Sequence, residues 1–175
     1  MVGYLWQYML APNGPVNTVL RSVGLDSFAR TWLGDPNLAL GSIIFVLVWQ
    51  LAGYSMIIFL AGLQSVPEEL IEAAAVDGAG PLRRFFNVVL PMLGPAITIN
   101  LMLSMIGSLK LFDHVWALTN GGPGGLTHTL TTLMFREAFT YGSWGKGVSL
   151  GLVLLVIVLL ISVVQYRMLL RRELR

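Results

Sequence analysis

Among the stretches of the chain that carry no charged residue, 36–67, 85–109 and 147–166 are the long apolar ones. A helix needs roughly 20 apolar residues to cross a hydrocarbon core about 30 Å thick. The pattern therefore predicts membrane-crossing helices near Leu38–Leu63, Met92–Leu109 and Val148–Tyr166. Helices are expected because open backbone in lipid leaves its polar groups unpaired. Residues 1–11 are apolar and aromatic but too short to cross. They read either as the end of a span or as an interfacial helix anchored by Tyr4, Trp6 and Tyr8. Turn signals at Pro12-Asn13-Gly14-Pro15 and Gly34-Asp35-Pro36 bracket a short helical run and mark 12–36 as a loop.

The loop 64–91 breaks the apolar pattern with four acidic residues, two arginines and three consecutive alanines. Ser65 and Glu68 have capping-box spacing, and Pro67 suits the first turn. A helix is predicted over Glu68–Asp77, ended by Gly78 and Gly80. Pro81 starts a second helix that carries Arg83, Arg84, Phe85 and Phe86, and Pro91 marks the junction with the next span. Glu69 and Glu72 can share a face, and Ala73, Ala74 and Ala75 allow close approach to the backbone. Such a helix suits a cleft in another protein; an amphipathic surface loop without a partner fits the same pattern.

Composition sharpens the class. The chain of 175 residues is 55% hydrophobic and 11% charged, where a soluble domain carries about 25% charged residues. The formal net charge is +2 with no basic run of the nucleic-acid type, so no nucleic-acid partner is expected. There is no cysteine, which excludes disulfides, thiolate metal sites and cysteine nucleophiles. The N-terminus lacks the basic region and cleavage site of a signal peptide. No G-x-x-x-x-G-K-[ST] occurs, so ATP chemistry would have to come from another polypeptide. No metal site and no catalytic constellation is read: Ser104 and Ser108 have no histidine within their span. His114 and His128 fall outside the apolar windows and are expected at the surface. The Gly-rich run Thr119–Gly125 has no lysine and no preceding strand, so it is not a phosphate cradle.

Arg167, Arg171, Arg172 and Arg175 crowd the end of the last span, which places that end in the cytoplasm by the positive-inside rule. Three spans then put 64–91 inside and residues 1–37 and 110–146 outside, although lysines and arginines number only six inside against five outside. Asn100, Ser104 and Ser108 recur every four residues on one face of the middle span, where polar groups usually face a bundle interior or a watery cavity. Trp49, Gln50 and Tyr54 offer aromatic and amide groups on the preceding span. Interhelical hydrogen bonding accounts for these polar residues equally well. Gly94-Pro95 is expected to kink the middle span, Gly147 and Gly151 to pack closely, and Lys110 to pair with Asp113 at spacing three.

Glu72-Ala73-Ala74, three residues, Gly78, nine residues, then Val88-Val89-Leu90-Pro91 resembles the EAA signature of binding-protein-dependent ABC import permeases, with Val88 in place of isoleucine. Phe112-Asp113 with Leu118-Thr119-Asn120-Gly121-Gly122-Pro123 is similar to the external loop of the sugar-permease branch. Gly14-Pro15-Val16-Asn17 and Ala61-Gly62-Leu63-Gln64 fit that branch too, so the resemblance covers nearly the whole chain. It implies an all-α membrane protein, a helical bundle of the type I importer permease. About three full transmembrane helices, a partial N-terminal one and a cytoplasmic coupling helix are expected, where family members have about six core spans. Residues 1–175 would be the C-terminal part of one permease domain, with a cytoplasmic coupling loop at 64–91 and an external loop at 110–146.

The resemblance also implies roles. Glu69, Glu72, Ala73, Ala74, Asp77 and Gly78 would couple to an ABC ATPase subunit. Gln50, Tyr54, Asn100, Ser104 and Ser108 would line the solute path. Asp113, Thr119, Gly121, Gly122 and Pro123 would belong to the external loop that meets a solute-binding protein or shapes the outer gate. The expected partners are ATPase subunits carrying ATP and Mg, a second and different EAA-type permease, an extracytoplasmic solute-binding protein and the lipid bilayer. No cofactor is expected on this chain. The expected activity is non-enzymatic: import of a sugar, polyol or glycerol phosphate across the inner membrane, with the coupling loop and C-terminus cytoplasmic. The alternatives are a truncated membrane fragment that only binds partner subunits, or a permease for another solute class.

Overall fold

The computed structural model describes residues 1–173, with side chains through residue 169. Every regular element among them is helical. The chain divides into two compact units, residues 1–50 with 108–158 and residues 51–107 with 159–175.

The first unit opens with α1 (Val2–Met9) and α2 (Pro15–Ser22), followed by a single 3₁₀ turn at Asp26–Phe28. It also contains the start of α3 (Ala39–Gln64), α8 (Asp113–Leu118), α9 (Leu130–Phe135) and the start of α10 (Trp144–Glu173). Leu10, Ile43, Val46, Val115 and Leu118 form its core, with Trp6 and Trp32 packed against them. Trp6 sits edge-on to Phe45 at 5.5 Å and to Trp49 at 5.3 Å. The aromatic anchor expected at the N-terminus is therefore divided: Tyr4 and Tyr8 are exposed, while Trp6 packs on the core. The cause is the contact of α1 with α8, where Gly3 leaves room for Ala117.

Residues 11–36 run outside the long helices, and one side chain organises them. Asn17 is 1% exposed. Its amide nitrogen donates to the carbonyls of Ala11 (3.3 Å), Pro12 (3.1 Å) and Arg30 (2.9 Å). Its Oδ1 accepts from the Arg30 N–H (3.3 Å) and the Trp32 Nε1–H (2.9 Å). Ser42 of α3 then donates to the Trp32 carbonyl at 3.1 Å. A buried amide engaged on both ends in this way fixes the loop to the helix.

The second unit holds the rest of α3, then α4 (Glu68–Val76) and α5 (Pro81–Arg84). A π-turn at Phe85–Val89, α6 (Leu90–Met92) and α7 (Gly94–Leu109) follow. Pro91 lacks the N–H that would continue the α ladder, and the turn before it widens so that the Leu90 N–H reaches the Phe85 carbonyl five residues back. The chain then bends by 63° between Pro81–Met92 and Gly94–Leu109. Gly94-Pro95 supplies the break as expected, because the proline ring cannot follow the preceding turn.

The spans differ from the sequence reading in one respect. α3 and Trp144–Leu169 of α10 are each 26 residues long and apolar enough to cross a membrane. The middle stretch is not a straight helix from Met92: α7 has 16 residues, and only the bent pair together is long enough to cross. Gly147 and Gly151 do pack closely, against Ala138 and Met134. The capping box expected from Ser65 and Glu68 does not form. Pro67 is the residue before α4, and the Ser65 hydroxyl turns back to the Gly62 carbonyl at 2.7 Å. A serine two positions before the N-cap cannot reach the first-turn N–H groups. The side chains of Arg171 and Arg172, and Arg175 entirely, lie outside the described residues.

Replacing Asn17 with leucine would leave the Trp32 Nε1–H and the backbone groups of Ala11, Pro12 and Arg30 without it. The expected cost is about 2–4 kcal/mol, since each buried orphan costs about 1–3 kcal/mol. A thermal melt in detergent should show a markedly lower midpoint for Asn17→Leu than for Asn13→Leu; equal midpoints would remove Asn17 from this role.

Candidate functional site

α4 is built to be both short and exposed. Glu68 and Glu69 occupy its first turn, where the helix dipole favours acids. Its end is a Schellman motif: the Gly78 N–H reaches the Ala75 carbonyl and the Ala79 N–H reaches the Ala74 carbonyl, both at 3.0 Å. Gly78 has φ +80°, a left-handed conformation that glycine adopts without cost. Asp77, expected inside the helix, is its C-cap.

The helix presents two unlike faces. Glu69, Glu72, Ala73 and Val76 are exposed and follow the i, i+3, i+4, i+7 spacing of one stripe. Val76 is 88% exposed. Ile71 and Ala74 are half-buried on the other side, and α4 packs on the Phe85–Val89 turn. The three alanines thus divide: Ala73 and Ala75 face outward, and Ala74 faces the protein's own loop. Val76 and the 75% exposed Leu82 were not singled out from sequence. Their signal was an apolar side chain inside an otherwise polar loop.

In the second unit Asn100 faces α3. Its Oδ1 accepts from the Ser55 hydroxyl at 3.0 Å, and Gly62 of α3 is in close contact with Ala96 and Leu93. Ser55, missed by the sequence reading, lies beside Tyr54, which is 69% exposed. Ser104 is half-buried on the same face of α7 as Asn100, and Ser104 and Ser108 each already engage a partner. Gln50 and Ser108 belong to the first unit, where Gln50 Oε1 accepts from His114 Nε2 at 2.6 Å.

Lys110 and Asp113 form no ion pair among the described residues. α7 ends at Leu109 and α8 starts at Asp113, so the helical register that would bring them together is interrupted.

The run 119–136 is a hydroxyl network. Thr119 and Thr127 share a hydrogen bond of 2.8 Å, and Thr127 donates to the Gly122 carbonyl at 2.6 Å. Thr129 and Thr131 both donate to the Leu111 carbonyl, at 2.7 and 2.5 Å. Thr129 also closes a capping box with Thr132 at the start of α9. Gly121 has φ +84°, and a side chain there would run into the His128 ring. The Arg136 guanidinium donates to His128 Nε2 at 2.7 Å, which leaves the proton on Nδ1 to bond the Thr132 hydroxyl at 3.1 Å. Neither histidine is the free surface group expected. Both are half-buried and hydrogen-bonded: His114 on α8 meets Gln50 of α3, and the loop folds His128 onto Arg136. Burial, and then the Arg136 charge, hold the His128 imidazole below its ordinary pKa. Burial lowers His114 as well, against the opposing pull of Asp113.

Three comparisons bear on this arrangement. A family model described as "Binding-protein-dependent transport system inner membrane component" matches residues 2–174. The probable ABC transporter permease protein YurN of Bacillus subtilis (strain 168) is 33% identical over 168 residues, covering 95% of this chain and 58% of the relative. The xylose/arabinose import permease protein XacH of Haloferax volcanii is 38% identical over 157 residues, covering 89% of this chain and 49% of the relative. Among solved structures, a bacterial ABC transporter involved in the import of the acidic polysaccharide alginate matches with TM-score 0.85 and 26% identity, covering 97% of this chain and 59% of that one. The chain thus spans about half the length of the relatives it matches.

The histidines set a pH dependence. A group whose pKa is lowered on folding stabilises the fold fully above its unfolded value near 6.5, and that stability is lost as pH falls through the lower folded value. The melting temperature in detergent should therefore fall as pH drops from ~7.5 to ~5. His128→Gln should lose part of that slope while keeping the stability seen above neutrality. An unchanged slope in the variant would mean that His128 does not carry it.

Proposed function

Because the chain belongs to the binding-protein-dependent transport system inner membrane component family, we propose that it is the membrane-spanning subunit of an ATP-driven importer for a sugar or related polyol. α4 serves as its coupling helix. The observation that carries this reading is the exposed stripe Glu69, Glu72, Ala73 and Val76 on a short helix locked by the Gly78 turn. A surface of two carboxylates around small and apolar side chains fits a cleft that offers a basic group and an apolar floor. The chain itself has no phosphate-binding loop, so ATP and Mg reside on partner ATPase subunits. A second, different EAA-type permease and an extracytoplasmic solute-binding protein complete the assembly. The relatives whose names state a solute import sugars, xylose or arabinose in one case and alginate in another.

Topology supports a direction. With α3, the bent pair and α10 each crossing once, α4 and the C-terminus fall on one side of the membrane. Arg167, Arg171 and Arg172 in the last turns of α10 favour the cytoplasm for that side. Residues 110–146, with Asp113, Thr119, Gly121, Gly122 and Pro123, then face outward as the docking or gating loop. Solute contacts are assigned to each unit separately: Tyr54, Asn100 and Ser104 in the second, Gln50 and Ser108 in the first.

Reversing the charge at the coupling surface tests the reading. Glu72 is exposed, so Glu72→Lys should leave the melting temperature unchanged. Losing a charge pair at an interface core costs about 2 kcal/mol or more, so ATP-dependent uptake by the reconstituted transporter should fall about 30-fold. Full uptake with the ATPase still bound would refute the coupling role.

A further inference from the structure

Directly after α4 the chain carries a second exposed surface, of opposite character. Leu82, Phe85 and Phe86 are 75%, 43% and 59% exposed and follow the i, i+3, i+4 spacing of one helical stripe. The two phenyl rings pack edge to face at 5.3 Å and form one continuous apolar patch. Arg83 is exposed beside the stripe, and Arg84 is half-buried with an Nε that is buried and has no hydrogen-bond partner. Among the described residues neither guanidinium makes an ion pair, although Glu68, Glu69, Glu72 and Asp77 belong to the same loop. An apolar stripe accompanied by uncompensated arginines suits a helix that lies against an anionic lipid surface. The apolar side chains then sit below the headgroups, and the guanidiniums stay among the phosphates.

Position along the chain points the same way. Pro81–Met92 leads into Gly94–Leu109 at an angle of 63°. α7 has 16 residues, a rise of about 24 Å, which is short of a hydrocarbon core about 30 Å thick. The span therefore draws its remaining depth from Pro81–Met92. The two arginines hold the Pro81 end of that segment at headgroup level, since a charge in the core is costly. A helix turned by 63° from the span it feeds runs obliquely along the interface. We infer that Pro81–Val89 is a lipid-docking element: Leu82, Phe85 and Phe86 enter the acyl-chain boundary, and Arg83 and Arg84 bind the phosphates of anionic phospholipids. α4 packs on the Phe85–Val89 turn, so this lipid contact holds the support of α4 at a fixed depth. The inference requires a membrane subunit, which the family supplies, and is independent of the solute carried.

The chain has no cysteine, so one introduced thiol reports on one place. Phe86→Cys carries an environment-sensitive NBD fluorophore in place of the phenyl ring, and Val76→Cys on the outward stripe of α4 carries it as a control. The complete transporter, free of other cysteines, is reconstituted in phosphatidylcholine vesicles with and without about one quarter phosphatidylglycerol. Both vesicles contain a lipid with a nitroxide near the top of its acyl chain. One kcal/mol per arginine at an anionic surface corresponds to about fivefold in partition. Quenching of the Phe86→Cys probe should therefore be about twofold or more stronger with phosphatidylglycerol, while the Val76→Cys probe stays unquenched. Arg83→Gln together with Arg84→Gln should remove the difference between the two lipids. Equal quenching in both lipids would mean that the stripe lies at membrane depth without a headgroup site, and would overturn the inference. A difference that survives both substitutions would do the same. No quenching in either lipid would place protein over the stripe and also overturn it. Quenching that is present in the permeases alone and lost when the ATPase subunits bind would make the stripe their docking surface instead.

Discussion

Every break in a helix leaves backbone carbonyls and N–H groups without their helical partners, and those that are buried need others. At several breaks the structure answers with side chains. Asn17 takes the carbonyls of Ala11, Pro12 and Arg30, and Ser42 takes that of Trp32. Thr127 takes Gly122, and Thr129 with Thr131 take Leu111, the carbonyl left free between α7 and α8. At two other places the helix widens by one residue instead of opening. That happens before Pro91 and again at Arg136–Thr140, where the Tyr141 N–H reaches the Arg136 carbonyl. These bonds, made within the chain, order its loops.

That ordering positions the functional surfaces. The widened turn and the 63° bend carry the chain out of α7 and into the loop that bears α4, and the Schellman turn at Gly78 fixes where α4 stops. A short exposed helix can present a fixed surface only if it does not melt. A nine-residue helix has little intrinsic stability of its own, so its half-buried side, Ile71 and Ala74, must be held by the loop it packs on. The outward stripe is then free for a partner. Division of the alanines between the two faces reconciles a small-residue surface with a helix that stays folded.

Much of this was legible in the sequence because it depends on local chemistry. Charge-free windows located α3 and α10. Gly78 and Pro81 marked the end of one helix and the start of the next, and Gly94-Pro95 announced the bend. The misreadings share a cause as well. The Ser65 capping box, the Lys110–Asp113 pair and the surface histidines were all judged from spacing along the chain. Each was decided by where the chain turned: Ser65 sits before a proline-led start, a helix boundary separates Lys110 from Asp113, and the threonine loop folds His128 onto Arg136. Ser55 and the Thr127–Thr131 cluster left only a weak mark, since lone hydroxyls in apolar sequence do not reveal which carbonyl they will meet. The sequence-derived solute residues divide between the two units, and within each the structure shows hydrogen-bonded groups whose roles in transport rest on the family resemblance.

Those hydrogen bonds bear on how a solute could pass. Polar contacts between helices in a membrane are worth about 0.6–2 kcal/mol each. The Ser55–Asn100 bond therefore stabilises its helix pair only modestly. A sugar hydroxyl that replaced Ser55 on Asn100 would exchange one neutral hydrogen bond for another of similar strength. The Gln50–His114 bond belongs to the first unit and engages the oxygen end of the amide. The Ser55–Asn100 bond, exchangeable at so little cost, holds its helix pair together without locking it.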